Sequence, residues 1–195
     1  MTTTPIVLAP DPLRRLIGCL VLCLPAMVCG QAPAANLPEA PEAKVKAAYL
    51  YKFGSYVDWP EQAFAGDKAP LWIGVIDAGT LAEDLSAMVV GRSVNGRPLQ
   101  IRRLQPGDSL DGLNVLFVGR SHNARLADIL AAAKAQPILT VTEAHNALSL
   151  GGMINFVLVE GRLRFEVAPR TAALSHLSIS ARLLAAAYKV DGATP

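Results

Sequence analysis

Cysteine is scarce in this chain, and the part that follows residue 30 contains none. The three cysteines, Cys19, Cys23 and Cys29, all fall within the first thirty residues. This stretch has a charged start, an apolar middle at 16–28 and small residues after it, which is the layout of an export signal. We therefore predict that residues 1–30 are a cleaved signal peptide and that the mature chain contains no disulfide. Its stability must come from burial and hydrogen bonds, which about 160 residues can supply.

The apolar run at 16–28 leaves two alternatives open. A retained membrane anchor would need roughly 20 apolar residues, and this run is shorter. A lipoprotein would be acylated on Cys29, but Met27 and Val28 occupy positions where the lipoprotein signal peptidase prefers small residues. We predict an exported protein that is cleaved near Gly30 or Ala32.

Charge of one sign is also lacking. The net charge of +2 falls to +1 when Asp11, Arg14 and Arg15 leave with the signal. A net charge this close to zero does not indicate a nucleic-acid partner. A loose basic region of six arginines is either a solvated surface or a charged surface for a partner. Its members are Arg92, Arg97, Arg102, Arg103, Arg120 and Arg125.

The motifs of nucleotide, metal and acyl-transfer chemistry are missing. No glycine-rich phosphate loop occurs, and Gly151-Gly152 leads into a predicted strand where such a loop would lead into a helix. The three histidines lack the close spacing of a zinc site. Ser121-His122 is explained by helix capping, and an acid and base pair among Glu143, Glu160 and Glu166 is unsupported. We therefore expect no catalytic residue, no metal, no cofactor and no enzymatic activity.

Hydrophobic periodicity predicts alternating helices and strands after an Ala- and Pro-rich tether at 31–41. The first helix is predicted at 42–58 and is ended by Trp59-Pro60, and the second is predicted at 81–90 with Thr80 as its N-cap. A third helix, with Ser121 or Asn123 as its N-cap, is predicted to end near residue 135, and a fourth is predicted at 180–188. Strands are predicted at 71–76, 99–104, 113–118, 138–141, 153–159 and 163–167. This alternation predicts one domain over 42–190, a three-layer α/β/α sandwich. Its sheet is mostly parallel, with the late hairpin as an antiparallel edge.

Two separated stretches together resemble the YfiR family. The first runs from Lys46 to Pro60 and contains Tyr49, Phe53, Tyr56 and Trp59. The second covers 151–157 and 161–167 and continues through 172–173 to 177–184. Between them, the apolar runs 73–76 and 115–118 fall where the family has its first and third strands. The resemblance covers about 42–190.

The resemblance implies a periplasmic repressor. Members of this family hold down an inner-membrane diguanylate cyclase through its periplasmic sensor domain, and an outer-membrane lipoprotein can sequester the repressor. The expected partners are therefore such a cyclase or a sensor kinase, an outer-membrane lipoprotein and, from our own inference, a second copy in a homodimer. Family members often carry a Cys-His pair before the third strand and a late cysteine pair. This chain has Asn114-Val115 at the first place and no late pair, so redox control is not expected.

Two other functions stay open. A periplasmic solute-binding or transport accessory protein would have a pocket at the ends of its parallel strands. An uncharacterised hydrolase ranks third, because it would need a nucleophile and base that only the fold brings together.

Candidate binding residues lie in the closing motif and in the first helix. We predict that Arg170, His176 and Arg182 form a recognition patch for a partner or for a small anion or amino acid, since guanidinium groups bind carboxylates well. The alternative for His176 is an ordinary capping or surface role. The aromatic residues of the first helix are predicted to pack in the core, with a partner groove as the alternative.

Overall fold

An eight-stranded sheet forms the centre of the protein, in a computed structural model that describes residues 39–77 and 79–192. The helices are α1 (Glu39–Tyr56), α2 (Leu81–Val89), α3 (Leu126–Ala133), α4 (Pro169–Leu174) and α5 (Ala181–Ala186). The strands are β1 (Val57–Asp58), β2 (Leu71–Ile76), β3 (Ser93–Val94), β4 (Arg97–Arg103), β5 (Val115–Val118), β6 (Leu139–Thr142), β7 (Ile154–Val159), β8 (Arg162–Val167), β9 (Ser178–Ile179) and β10 (Lys189–Val190). Short 3-10 helices span Glu61–Ala63 and Arg120–Arg125.

The strand order is β10-β8-β7-β6-β5-β2-β4-β3, and the five central strands from β7 to β4 run parallel. The prediction of a mostly parallel sheet is therefore confirmed. The predicted late hairpin is β7 and β8, which pair antiparallel around Glu160 and Gly161. Both turn residues have positive φ, of +50° and +71°, as a type I′ turn requires. The short strand β10 pairs with the outer side of β8, so the hairpin lies one strand in from the edge.

Helices cover both faces of the sheet, as a three-layer sandwich requires. On one face, α1 and α2 bury their apolar sides against strand residues that include Ile73, Val115 and Phe117. On the other face, α3 packs on a second cluster that includes Ile76 and Leu116. All four residues of β5 are buried, because this central strand has a helical layer on each side.

Aromatic packing fixes α1 on the sheet. Phe53 is only 1% exposed, and its ring centroid lies 5.3 Å from that of Phe165 and 5.9 Å from that of Phe156. The ring of Tyr49 completes the group, 5.8 Å from Phe156 and 5.5 Å from Phe165. Tyr56 and Trp59 are partly buried against the same core. The prediction that the aromatic stripe packs in the core is therefore confirmed.

The end of α1 differs from the prediction. The helix stops at Tyr56, and Val57 and Asp58, which periodicity assigned to the helix, form β1 and pair antiparallel with β9. The N–H of Ser180 also donates to the carbonyl of Tyr56 at 2.9 Å. A segment more than a hundred positions downstream therefore ends the helix, and local periodicity cannot report it.

Thr80 occupies the N-cap position of α2, as predicted, but its side chain makes no capping hydrogen bond to the backbone; its hydroxyl donates to the carboxylate of Asp84 at 3.3 Å instead. The predicted caps of α3 are wrong. Ser121 and Asn123 lie inside the 3-10 helix Arg120–Arg125, and α3 begins only after it. The last helix does have a side-chain cap, because the Ser180 hydroxyl accepts from the N–H of Leu183 at 3.3 Å.

The predicted signal peptide, 1–30, lies outside the described residues, as does the predicted tether up to residue 38. Both stay predictions. Residues 39–41, which composition assigned to the tether, belong to the first turn of α1. Among the helices that the structure describes, none is both long and apolar enough to cross a membrane.

Replacing Phe53 by Ala should lower the free energy of unfolding by about 3–5 kcal/mol, because the change removes a buried ring and leaves a cavity. Urea denaturation of the purified mature protein measures the loss. Tyr188→Ala is the matched control, since Tyr188 is 58% exposed, and its effect should stay within about 0.5 kcal/mol. Similar losses in the two variants would contradict the packing described for α1.

Candidate functional site

The carboxyl ends of the central strands gather several charged groups. Asp77 follows β2, Arg120 follows β5 after one glycine, and Glu143 follows β6 directly. The chain passes from β2 to β4 on one side and reaches β5 on the other side, so β2 and β5 flank the point where the strand order reverses. Open α/β sheets usually bind their ligands at this edge.

Lys46 lies at the centre of this charged group although it is only 7% exposed. Its ammonium nitrogen is 2.7 Å from Oε1 of Glu42 and also pairs with Oε2 of Glu143. Glu42 and Lys46 are four positions apart on α1, so both reach the same side of the helix. A buried ammonium is costly without a partner, and the two carboxylates offset that cost.

Arg120 completes a four-residue charge cluster with Glu42, Lys46 and Glu143. Its guanidinium pairs with Glu42 and lies 3.2 Å from Oε2 of Glu143, while its backbone N–H donates to Oε1 of Glu143 at 2.8 Å. With two acids and two bases, the charge cluster is neutral. The Arg120 side chain is 58% exposed and is the part of the cluster that reaches solvent.

The protonation of Arg120 follows from these contacts. Burial by itself lowers the pKa of the guanidinium, but the charges of Glu143 and Glu42 and their hydrogen bonds outweigh it, so the pKa lies above its ordinary value. A base with a raised pKa adds stability that is present below its ordinary pKa and is lost only as the pH rises through the raised one. Arg120 therefore stays charged near neutrality and contributes no pH dependence there.

A cleft of about 300 Å³ lies beside the charge cluster. Glu42, Arg120 and Glu143 line one side, and apolar residues of the β7–β8 hairpin, among them Phe156 and Leu158, line the other. The pairing of β6 with β7 ends at Thr142 and Asn155. The rest of β7 pairs only with β8, extends past the end of β6 and contributes to this wall. Among the described residues, no serine, cysteine or histidine lines the cleft.

The switch point itself is closed by a carboxylate. Gly119 follows β5, and its N–H donates to the carbonyl of Ile76 at 2.8 Å. A Cβ atom at position 119 would collide with the carboxylate of Asp77. Glycine at position 119 therefore leaves room for the Asp77 carboxylate in its present orientation.

The predicted recognition patch lies elsewhere, in the segment from α4 to α5. Arg170 is in α4, His176 is in the turn that follows it, and Arg182 is in α5; all three are exposed. His176 has a φ of +60°, and its N–H donates to the carbonyl of Ala173 at 3.0 Å, which closes α4. Within residues 39–77 and 79–192, no hydrogen bond or ion pair joins the three side chains. The patch remains a prediction.

Sequence reasoning missed the charge cluster. In the sequence, Glu143 is one of several separated carboxylates and Arg120 is one of six loosely grouped arginines. Two signals could have found it. Arg120 and Glu143 each follow the end of a buried strand, and Glu42 and Lys46 have the four-residue spacing of a helical ion pair.

In the part of the chain that the structure describes, no group of three or more His, Cys, Asp or Glu side chains is arranged to hold a metal ion.

The sheet and its two helical layers define a three-layer α/β domain. The neutral charge cluster lies beside a cleft at the carboxyl edge of the parallel strands. The family model described as YfiR/HmsC-like matches residues 43–188, and the chain belongs to this family. No curated protein matches the chain. The family is regulatory and non-catalytic, and membership indicates a periplasmic regulator of diguanylate cyclase signalling.

Replacing Lys46 by Met should lower the free energy of unfolding by about 3–5 kcal/mol, because it leaves Glu42 and Glu143 buried with only Arg120 to balance them. Arg103→Met is the matched control. The Arg103–Glu83 pair is half-exposed on both sides, and breaking it should cost less than about 1 kcal/mol. Chemical denaturation of both variants near neutral pH makes the comparison. Equal losses would mean that the buried cluster is no more important than a surface ion pair.

Proposed function

We propose that this protein represses an inner-membrane diguanylate cyclase by binding the cyclase's periplasmic sensor domain. The observation that carries the proposal is membership of the YfiR/HmsC-like family over residues 43–188. The cleft agrees with a binding role, since its charged groups Glu42, Arg120 and Glu143 are already engaged in ion pairs. No catalytic step is part of the proposed mechanism, and the protein is not an enzyme in this proposal.

Repression in this proposal is a shift between two conformations of the cyclase. The repressor binds the inactive conformation more tightly than the active one, and the ratio of the two affinities sets the shift. A tenfold preference, about 1.4 kcal/mol, moves the equilibrium about tenfold towards the inactive form at saturation. Cytoplasmic cyclic di-GMP falls accordingly, although the repressor itself acts on the periplasmic side.

Arg170, His176 and Arg182 are the proposed contact residues for the sensor domain. All three are exposed and lie in the segment from α4 to α5. The two guanidinium groups can form bidentate hydrogen bonds with carboxylates of the partner. The positive φ of His176 supports this role, because the tight turn that it makes presents the imidazole at the surface.

The remaining parts of the proposal concern export and assembly. Residues 1–30 direct the chain to the periplasm and are removed, an outer-membrane lipoprotein relieves repression by sequestering the repressor, and the repressor acts as a homodimer. The layout of the first thirty residues and the family support the export, and the sequestering lipoprotein follows from the resemblance to the family. The homodimer is our own inference.

The combined substitution of Arg170, His176 and Arg182 by Ala should reduce recovery of the cyclase by about tenfold or more, because it removes the charged contacts of the patch. The measurement is a pull-down with the tagged mature protein from detergent-solubilised envelope, followed by mass spectrometry and by assay of cyclic di-GMP in cells. A variant with Arg162 and Arg164 replaced by Ala is the control, since both are exposed on β8. Unchanged recovery with the triple variant would eliminate the patch. Recovery of no membrane protein with a periplasmic sensor and a cytoplasmic cyclase or kinase domain would contradict the repressor function.

A second candidate function is binding of a small periplasmic solute. The cleft favours it, because its volume of about 300 Å³ is at the lower end of ligand sites and Arg120 reaches solvent at its side. A small carboxylate, such as an amino acid, fits this chemistry.

If the cleft binds amino acids, a screen by thermal shift should find one that raises the melting temperature of the mature protein in a saturable manner. Arg120→Gln should abolish that shift, whereas Arg164→Gln should leave it unchanged, because Arg164 lies on β8 and does not line the cleft. A screen without any saturable ligand would remove the solute-binding function from consideration.

A further inference from the structure

One edge of the main sheet is only partly covered. The edge strand β3 has two residues, and it pairs with Arg97 and Pro98 at the start of β4. From residue 99 to residue 103, β4 has β2 on its inner side and, among the described residues, no strand on its outer side. A row of unpaired backbone groups of this kind can pair with another chain.

The direction of these backbone groups follows from one hydrogen bond. The N–H of Leu104 donates to the carbonyl of Val75 in β2 at 2.9 Å. Backbone groups alternate in direction along a strand, so those of Arg102 also face β2, whereas those of Ile101 and Arg103 face outward. Ile101 is partly buried and Arg103 is exposed, so solvent reaches this edge.

A groove runs along the open edge. It has a volume of about 490 Å³ and lies between the end of α2 and β4, with Val90, Arg92, Leu99 and Ile101 among its lining residues. Val90 is 79% exposed and offers its apolar side chain to solvent beside this groove. The groove therefore offers a mixed apolar and polar surface next to unpaired backbone groups, the two features that an added strand uses.

The charge around this edge is positive. The guanidinium groups of Arg92, Arg97 and Arg102 are held over the rings of Tyr51, Phe64 and Trp72, at 5.3, 3.8 and 4.7 Å. Arg97 and Arg102 donate only to backbone carbonyls, and none of the three makes an ion pair within the described residues. Arg103, in contrast, pairs with Glu83. Three positive charges are thus fixed in position near the edge without a carboxylate partner.

We infer that the open edge of β4 docks an extended, acidic segment of a partner protein, which adds a strand beside Ile101 and Arg103. The backbone of the segment pairs with these two residues, its apolar side chains enter the groove, and its carboxylates meet the uncompensated arginines. A second copy of the chain is a poor occupant, because β4 against β4 would bring the arginines of both copies together. This inference does not rest on the proposed function.

A short peptide of alternating Val and Glu tests the inference. It should bind the mature protein in a fluorescence anisotropy titration, and it should slow hydrogen exchange at the amides of Ile101 and Arg103. The amide of Arg102 faces β2 and should be protected with or without the peptide. Arg92→Glu should weaken binding about tenfold, whereas Arg164→Glu on β8 should not change it.

Two peptide controls make the result specific. A peptide of alternating Val and Lys should bind at least about tenfold more weakly, and N-methylation of the Glu peptide backbone should abolish binding by removing its N–H donors. Equal binding of the Lys peptide, no binding of the Glu peptide, or unchanged exchange at Ile101 and Arg103 would each overturn the inference. If these two amides become protected without peptide as the protein concentration rises, the occupant is a second copy and the acidic partner is wrong.

Discussion

The burial of Lys46 is the constraint on which the arrangement of α1 depends. An ammonium group that is out of water needs carboxylate partners, and Lys46 has one on its own helix and one, Glu143, 97 positions further along the chain. The helix therefore lies over the ends of β5 and β6 in one position only. Tyr49 and Phe53 follow on the same side of α1, so this position also places their rings against Phe156 and Phe165. The charged and the aromatic contacts thus specify the same register.

The same constraint determines what the carboxyl edge can do. Glu42, Lys46, Arg120 and Glu143 neutralise one another, so none of them is available as an isolated acid or base. The geometry is that of a structural ion-pair network with one exposed member, Arg120. A site of this type can contact a ligand or a partner through Arg120 while its inner members hold the fold together. That division agrees with a family of regulators.

Local signals in the sequence predicted the parts of the fold that depend on local physics. The apolar run at 71–76 became β2 with the same bounds, and the hairpin around Glu160 and Gly161 formed where its turn residues indicated. The end of α1 was not predictable, because Val57 and Asp58 follow the helical period and become a strand only when β9 pairs with them. The charge cluster could not be predicted for the same reason, since Arg120 and Glu42 are 78 positions apart and meet only after the sheet has formed. The open edge of β4 is likewise visible only from the strand order.

The close approach of Asp77 and Gly119 has a consequence for the evolution of the family. A Cβ atom at position 119 would occupy the space of the Asp77 carboxylate, so a side chain there requires the residue at 77 to turn away or to become smaller. The substitutions accepted at one position therefore depend on the residue at the other. The two positions should covary among relatives, with a side chain at 119 accompanied by a smaller residue at 77 more often than chance allows.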